Sequence, residues 1–366
     1  MSVFPPLETQ NAYPQAVTLS LDLRPHPNGD TWAITAQLNR PEQWLTLLSG
    51  CIRVSVRRGI LNLQGQGGTL TQSSNLPSGT RLLYHTSSEA RWQIDFSGKP
   101  TPLTLALGCL SGPTAASHWQ ATLILTPADL AIADSQGLWP PDLSPNQLAI
   151  ADRLIAQFLV QSCFPGALSC CQWAMADVLP DNLPPTPWDA KALAAQETDL
   201  GDRLQVLNQA TSTDLLSLTR LVGLDSQQDL AGGKFVGVNL SGIDLSGANL
   251  ANSNFRGAIL TDADLSGANL AGSSLRGADL SGAYLEGANL TQVDFRKASL
   301  ALTNMIGADL TGANLHGTAL NNANWSRANL NLAQIGDNAG LSQTQQANLI
   351  ERGAKLSAEF GQEMLG

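Results

Sequence analysis

The sequence has few of the features on which membrane proteins and nucleic-acid-binding proteins depend. Charged residues make up only 14% of the 366 positions and aromatic residues 5%, whereas roughly 25% of the residues of an average soluble domain are charged. No apolar run approaches the ~18 residues of a membrane-spanning helix. Thirty acidic and 20 basic side chains give a net charge of -10, which argues against a broad nucleic-acid footprint. We therefore expect no nucleic acid partner and no transmembrane segment, which still allows peripheral membrane association through a partner.

Motifs for catalysis and for metal binding are absent from the sequence as well. The five cysteines form no Cys-x-x-Cys pair, and the four histidines are scattered along the chain. The run GQGG at 65–68 lacks the lysine of a phosphate-binding loop, and Cys163, Cys170 and Cys171 would need a further ligand to hold zinc. We therefore predict no catalytic residue, no cofactor and no metal, and free thiols in a reducing cytoplasm.

The pattern of apolar residues changes along the chain. Residues 1–126 contain at least six short segments of period two separated by turn residues, which is typical of an antiparallel β sandwich or barrel-like domain. Residues 127–228 predict a helical connector, in which Ser144 and Gln147 form a capping box before an amphipathic helix. A stiff linker is predicted at 180–188, where four of nine residues are proline. Further helices are predicted over 189–207 and, capped by Ser212, up to 223.

A period of five defines the chain from 229 to 335. Every position divisible by five from Leu230 to Ile335 is a large apolar residue, which gives 22 consecutive apolar centres. The residue two positions before each centre is usually Ala, and the residue two positions after it is usually Gly. Because so short a unit cannot bury its own apolar side chain, the units must stack into a solenoid.

The runs ADLSGANL, GADLTGANL and EGANLTQVDF resemble the pentapeptide-repeat family, whose unit is A-[DN]-L-x-x. The segments that flank the repeats resemble those of cyanobacterial members. This resemblance implies a mainly β protein, with a right-handed quadrilateral β-solenoid in which four units form a coil of 20 residues. We therefore predict a solenoid over 229–335, capped by the preceding helix and by a C-terminal capping helix within 336–366, where Ser342 and Gln345 form a capping box.

A coil of 20 residues places side chains that are 20 positions apart in one column. The predicted interior columns contain Phe235, Phe255, Leu275, Phe295 and Leu315 and, separately, Met305 and Trp325. The position after the first of these columns forms a surface column, here called the arginine row, of Arg256, Arg276, Arg296 and, at its end, His316. Its members are expected about 5 Å apart. Either nearby acids screen these charges or an anionic partner does.

Bulky residues break the motif at outward positions late in the solenoid. Lys297, Leu302, Ile306 and Arg327 are the main examples, and Tyr284 and Ile259 lie nearby in sequence. Contact with a partner and docking of the protein's own N-terminal half explain them equally well. The predicted partner-binding residues are therefore Arg256, Arg276, Arg296, His316, Tyr284, Leu302 and Ile306.

These observations predict a non-enzymatic cytoplasmic scaffold, assembly or regulatory protein, cyanobacterial by resemblance, whose partner is another protein or protein complex. An alternative is a DNA-mimicking regulator of a DNA-binding enzyme, since some pentapeptide-repeat proteins protect gyrase from quinolones. Residues 229–340 contain nine acids and six bases, and the arginine row interrupts any anionic surface. A further alternative is an enzyme with an unrecognised site in the N-terminal region.

Overall fold

The computed structural model divides the chain into two compact units. The first consists of Met1–Leu138 and Ala156–Gly201, and the second of Trp139–Ile155 and Asp202–Gly366. The predicted proline-rich linker at 180–188 lies outside the described residues. The residues that the structure describes are 7–10, 18–25, 31–39, 43–48, 50–66, 69–72, 80–96, 103–111, 118–136, 138, 143–163, 169–174 and 190–356.

Antiparallel strands form the first unit. They are β1 (Leu7–Gln10), β2 (Thr18–Pro25), β3 (Thr31–Asn39), β4 (Gln43–Leu47), β5 (Gly50–Val56), β6 (Arg58–Gln66), β7 (Thr69–Gln72), β8 (Thr80–His85), β9 (Glu89–Asp95), β10 (Leu103–Ser111), β11 (His118–Ile124), β12 (Leu130–Gln136) and β13 (Ser169–Ala174). Their sheets have the orders β1-β13-β11-β6-β9-β8, β2-β3-β10-β7 and β12-β5-β4. The prediction of an antiparallel β-rich region is confirmed, and its closure as a sandwich or barrel stays a prediction.

The apolar residues that alternate with period two in the sequence form the buried face of the largest sheet. Leu61 of β6 lies opposite Trp92 of β9 and Leu123 of β11, and all three are buried, because alternate residues of a strand point to the same side. Residues 127–228, predicted as a helical connector, also supply β12 and β13. The sequence SCCQWA of β13 has no clear alternation, and its pairing with β1 and β11 decides its conformation.

Helices appear close to the predicted positions. They are α1 (Pro145–Phe158), followed by a π-helical turn to Cys163, α2 (Ala190–Asn208), α3 (Leu215–Leu221) and α4 (Gln343–Glu351). The capping box of α1 is confirmed, since the Ser144 N–H donates to Gln147 Oε1 at 2.9 Å and the Gln147 N–H to Ser144 Oγ at 3.2 Å. Asp214 caps α3 instead of Ser212, because its carboxylate reaches the Ser217 N–H at 2.7 Å.

Residues 20 positions apart are neighbours throughout the five-residue repeats of the second unit. Parallel bridges join Lys234 to Asn254 and continue at that interval up to Ala319 and Ala339. Four five-residue units therefore complete one coil, and successive coils stack as a β-solenoid. The solenoid ends in β14 (Gln334–Ile335), which pairs in parallel with β15 (Lys355–Leu356) after α4. The capping box of Ser342 and Gln345 at the start of α4 is confirmed.

The solenoid interior is filled by the apolar centres. Phe235 and Phe255 stack with ring centroids 4.8 Å apart, and the other predicted core residues Leu275, Phe295, Met305 and Leu315 are buried as well. Trp325 is the exception, since it is only half-buried. The next position in its column, 345, belongs to α4 rather than to a further coil, so nothing of the repeat covers its outer face.

Candidate functional site

The arginine row lies at a corner of the solenoid, where a corner means the two residues that follow each apolar centre. The backbone joins the coils directly at this corner. The N–H of Gly237 donates to Arg256 O at 3.0 Å, and that of Gly277 to Arg296 O at 3.0 Å. Because backbone hydrogen bonds link successive members, the row is held at the spacing of neighbouring strands, about 4.8 Å.

The four side chains of the arginine row divide into a paired half and an unpaired half. Arg296 binds Asp294 in a bidentate manner, with Nε to Oδ1 at 2.8 Å and Nη2 to Oδ2 at 2.7 Å. His316 Nε2 lies 3.5 Å from the Asp337 carboxylate. Arg256 and Arg276 are exposed, and their guanidinium groups form no ion pair or hydrogen bond among the described residues, although the charge of Arg276 acts on Asp294 from a distance. The unpaired charges therefore lie at the N-terminal half of the row.

The charge of Asp294 is stabilised by its neighbours. Burial alone would raise the pKa of this carboxyl, but hydrogen bonds from the Arg296 side chain and backbone and the positive charges of Arg296 and Arg276 outweigh it. The pKa of Asp294 therefore lies below its ordinary value. The side-chain hydrogen bond to Asp294 raises the pKa of Arg296, burial opposes this, and the negative charge of Asp294 adds to the rise. Asp294 is thus a fixed anion that is already occupied by Arg296.

The charges of the solenoid are segregated by face. Residues 229–340 contain nine acids. Two of them, Asp294 and Asp337, lie at the corner of the arginine row or on the outward face before it. The other acids lie around the remaining faces and corners. Five of the six bases in the same stretch lie at this corner or face, and they are Lys234, Arg256, Arg276, Arg296 and Lys297. One edge of an otherwise acidic solenoid is therefore basic.

A second group of predicted residues forms an apolar cluster, defined here as Tyr284, Leu302 and Ile306. Tyr284 is bridged to Asn304 of the next coil, and the other two members lie two residues before and after Asn304. Tyr284 is 52% and Leu302 65% exposed, and Ile306 is half-buried. One outward face of the coil separates this cluster from the arginine row, so the predicted partner-binding residues form two surfaces rather than one.

Two further arginines bind the open edges of the solenoid, and the sequence did not predict their contacts. Arg153 of α1 is buried, and its Nη1 donates to Ala231 O at 2.7 Å. After α4, Arg352 Nη2 donates to Ala328 O at 2.6 Å and to Trp325 O at 3.1 Å. These bonds satisfy terminal carbonyls that would otherwise be open to another chain. The only sequence signal for Arg153 was a charge amid apolar helix residues.

A groove of about 680 Å³ lies between the first coil and the N-terminal ends of α1 and α3. Its two carboxylates are both engaged, since Asp214 caps α3 and Asp244 accepts hydrogen bonds from the Ser246 N–H and hydroxyl. No histidine, cysteine or lysine lines it. The groove therefore brings together no nucleophile and base of the kind that acyl transfer requires.

Neither a metal-binding cluster nor a membrane-spanning helix occurs among the described residues. Within these ranges no group of three or more His, Cys, Asp or Glu side chains is arranged to hold a metal ion. The helices described there also include none that is long and apolar enough to cross a membrane. Cys109 is a free, half-buried thiol. Cys51, Cys163, Cys170 and Cys171 have side chains that fall outside the described part of the chain.

Comparison with known proteins identifies the repeats. The family model for pentapeptide repeats matches in eight copies over residues 229–262, 239–277, 278–317 and 308–336. No curated protein matches the chain significantly. Among solved structures, a pentapeptide repeat protein from the thylakoid lumen of Arabidopsis thaliana is 33% identical over 35% of this chain and 84% of its own, with a TM-score of 0.25.

Two other solved structures illustrate the range of similarity. A pentapeptide repeat protein from Nostoc PCC 7120 is 34% identical over 28% of this chain and 84% of its own, with a TM-score of 0.26. The plasmid-mediated fluoroquinolone resistance protein QnrB1 is 19% identical over 32% of this chain and 84% of its own, with a TM-score of 0.16. Because the family model matches residues 229–336 and the chain covers 84% of two pentapeptide repeat proteins that are 33% and 34% identical to it, the chain belongs, through residues 229–336, to the pentapeptide repeat family.

Proposed function

We propose that the protein is a non-enzymatic scaffold, assembly or regulatory protein of the cytoplasm. In this proposal a right-handed quadrilateral solenoid with helical caps presents a rigid surface to another protein or protein complex. Family membership supports it, because pentapeptide repeat proteins are generally interaction or regulatory proteins. A surface fixed by backbone hydrogen bonds loses little conformational entropy when a partner binds.

The unpaired state of Arg256 and Arg276 is the observation that carries the proposal. Arg296 is neutralised by Asp294, two positions earlier, while the equivalent positions before Arg256 and Arg276 hold Asn254 and Ser274. Two like charges about 4 Å apart repel by roughly 1 kcal/mol even in water. An aspartate at either position would remove that repulsion within the fold. An anionic partner would supply the missing negative charge instead.

Affinity capture with the full chain tests the proposal. We expect Arg256→Gln with Arg276→Gln to weaken the capture of at least one protein that the wild type retains, and to reduce the salt sensitivity of the remaining binding. Arg220→Gln is the matched control, because it removes an exposed base from α3, outside the repeats. A double variant with the wild-type melting temperature and an unchanged set of captured proteins would contradict the proposal.

The DNA-mimicking alternative requires a continuous anionic surface, and the basic edge of the solenoid interrupts it. A DNA supercoiling assay with gyrase separates the two functions. We expect no inhibition of supercoiling and no protection from a quinolone, and inhibition by the wild type would favour mimicry. The enzyme alternative has no support from the groove beside the first coil, whose carboxylates are both engaged in hydrogen bonds.

A further inference from the structure

Exposed apolar side chains flank the two unpaired arginines. Val236 occupies the arginine corner one coil before Arg256 and is 44% exposed. Ile259 lies three residues after Arg256, on the next outward face, and is 41% exposed. Together with Arg276 these residues form the docking strip, defined as Val236, Arg256, Ile259 and Arg276. Positive and apolar groups thus lie side by side over three successive coils.

The spacing of the two charges selects among anionic partners. The backbones of Arg256 and Arg276 lie on neighbouring coils, which are joined by a hydrogen bond from the Gly257 N–H to Arg276 O at 3.1 Å. The two backbones are therefore separated by the strand spacing of about 4.8 Å. An α-helix rises about 4.5 Å over three residues and about 6.0 Å over four. Same-side residues of an extended strand are about 6.8 Å apart. Two carboxylates one helical turn apart fit best.

The acids beside the strip limit how far an anionic partner can extend. Beyond Arg276 the row continues with Arg296, whose charge is already paired with Asp294. Asp279, on the outward face after Arg276, keeps its own hydrogen bond from Ser281 Oγ at 2.6 Å. A long polyanion would meet both carboxylates. Because Asp279 is bridged to Ile259, a short ligand avoids it only if its negative charges face the arginine row and its apolar groups face Ile259. This arrangement disfavours nucleic acids by like-charge repulsion.

We propose that the docking strip binds an acidic amphipathic α-helix of a partner protein. Two carboxylates one turn apart on that helix pair with Arg256 and Arg276, and apolar residues of the same face cover Val236 and Ile259. The inference rests on the proposed interaction function and narrows its partner class. Contact of the apolar side chains excludes water from the charge pairs and thereby strengthens them.

Two synthetic helical peptides of identical composition test the inference. One carries its two glutamates one turn apart beside two leucines on the same face, and the other carries the glutamates on opposite faces. Each fluorescent peptide is titrated with the full-length protein. We expect the first to bind roughly threefold more tightly, since an exposed ion pair contributes up to about 1 kcal/mol. This difference should vanish in Arg256→Gln with Arg276→Gln and persist in Arg220→Gln.

The outcomes separate this inference from the proposed function. Equal binding of both peptides that is lost in the double variant would overturn the helical partner and leave an anion-binding row. Tighter binding of a short DNA duplex than of the matched peptide would overturn it in favour of nucleic acid. Absence of binding by both peptides would also overturn it, while the capture experiment with the full chain would still decide the broader proposal independently.

Discussion

The two halves of the solenoid differ in the residues that they place at their backbone turns. Each five-residue unit turns through a residue with positive φ. Between 232 and 287, ten of the twelve such corner residues are glycine, and the other two are Asn252 and Asp262. Between 292 and 337 only three of ten are glycine, and the others are Gln292, Lys297, Leu302, Asn322, Arg327, Leu332 and Asp337.

The second half holds less suitable residues at its corners. Asparagine and aspartate visit the left-handed region routinely, whereas other L-residues are disfavoured there by roughly 1–2 kcal/mol. Leu302 has φ 61° and its side chain is mostly exposed, so burial does not offset that cost. One coil earlier the same column holds Gly282. The fold therefore does not need leucine here, and we propose that the exposed side chain of Leu302 serves contact with a partner.

The largest expected difference between the halves concerns their interiors. Phe255→Ala should lower the free energy of unfolding by about 3–5 kcal/mol, because it empties a fully buried site stacked on Phe235. Trp325→Ala should lower the free energy of unfolding by less than half that amount, since no further coil covers the outer face of Trp325. Urea unfolding followed by circular dichroism measures both. Equal losses would show that the last coil is packed as tightly as the first ones.

Corner substitutions test the backbone comparison directly. Gly267 has φ +65°, and an added Cβ would meet no atom within 4 Å. Gly267→Ala should therefore lower the free energy of unfolding by about 1–2 kcal/mol through the left-handed backbone alone. Leu302→Gly should raise the free energy of unfolding by up to about 1 kcal/mol. The released backbone strain stabilises the folded state, and the greater entropy of the unfolded chain offsets only part of that gain.

Leu302→Ala is the matched control for both corner variants, because it keeps a Cβ at a left-handed corner and should change stability little. Thermal melts of the three variants measure the order. If Leu302→Gly destabilised the protein, the leucine would be supporting the fold, and the contrast between the halves would lose its functional meaning.

The sequence predicted the solenoid well because its information is local and periodic. A centre every fifth residue and phenylalanines 20 and 40 positions apart were sufficient to place Phe235, Phe255 and Phe295 in one interior column. The position of Trp325 at the last coil was equally clear, but its exposure depends on the segment that succeeds the repeat. The bond from Arg153 to Ala231 joins residues 78 positions apart, and no periodicity predicts such a contact.

The candidate site was predicted in its geometry but not in its charge state. The 20-residue coil placed Arg256, Arg276 and Arg296 in one row. Which of them is neutralised depends on the residue two positions earlier, and only Arg296 has an acid there. That signal was in the sequence, since the position before each centre points outward next to the corner, but side-chain torsions decide whether a pair forms.

The smallest expected effect is a difference in pKa between one aspartate in each half of the solenoid. The pKa of Asp244 is lowered by hydrogen bonds from the Ser246 hydroxyl and backbone. Burial opposes the shift at Asp294, where hydrogen bonds and the charges of Arg296 and Arg276 prevail. Both carboxyls should titrate below the ordinary value of 3.8 in a carbon-13 NMR titration. Added salt should raise the pKa of Asp294 more than that of Asp244, because salt screens charges.

Arg296→Gln sharpens this contrast. It should raise the pKa of Asp294 and leave that of Asp244 unchanged. Because the folded-state pKa of Asp294 is depressed, its ion pair contributes stability above the ordinary pKa of 3.8, and this contribution is lost as the pH falls through the folded value. The variant should therefore lose less stability than the wild type below pH ~4. An Asp294 pKa that did not respond to Arg296→Gln would mean that Arg296 is as free as Arg256 and Arg276, and the division of the arginine row into paired and unpaired halves would be wrong.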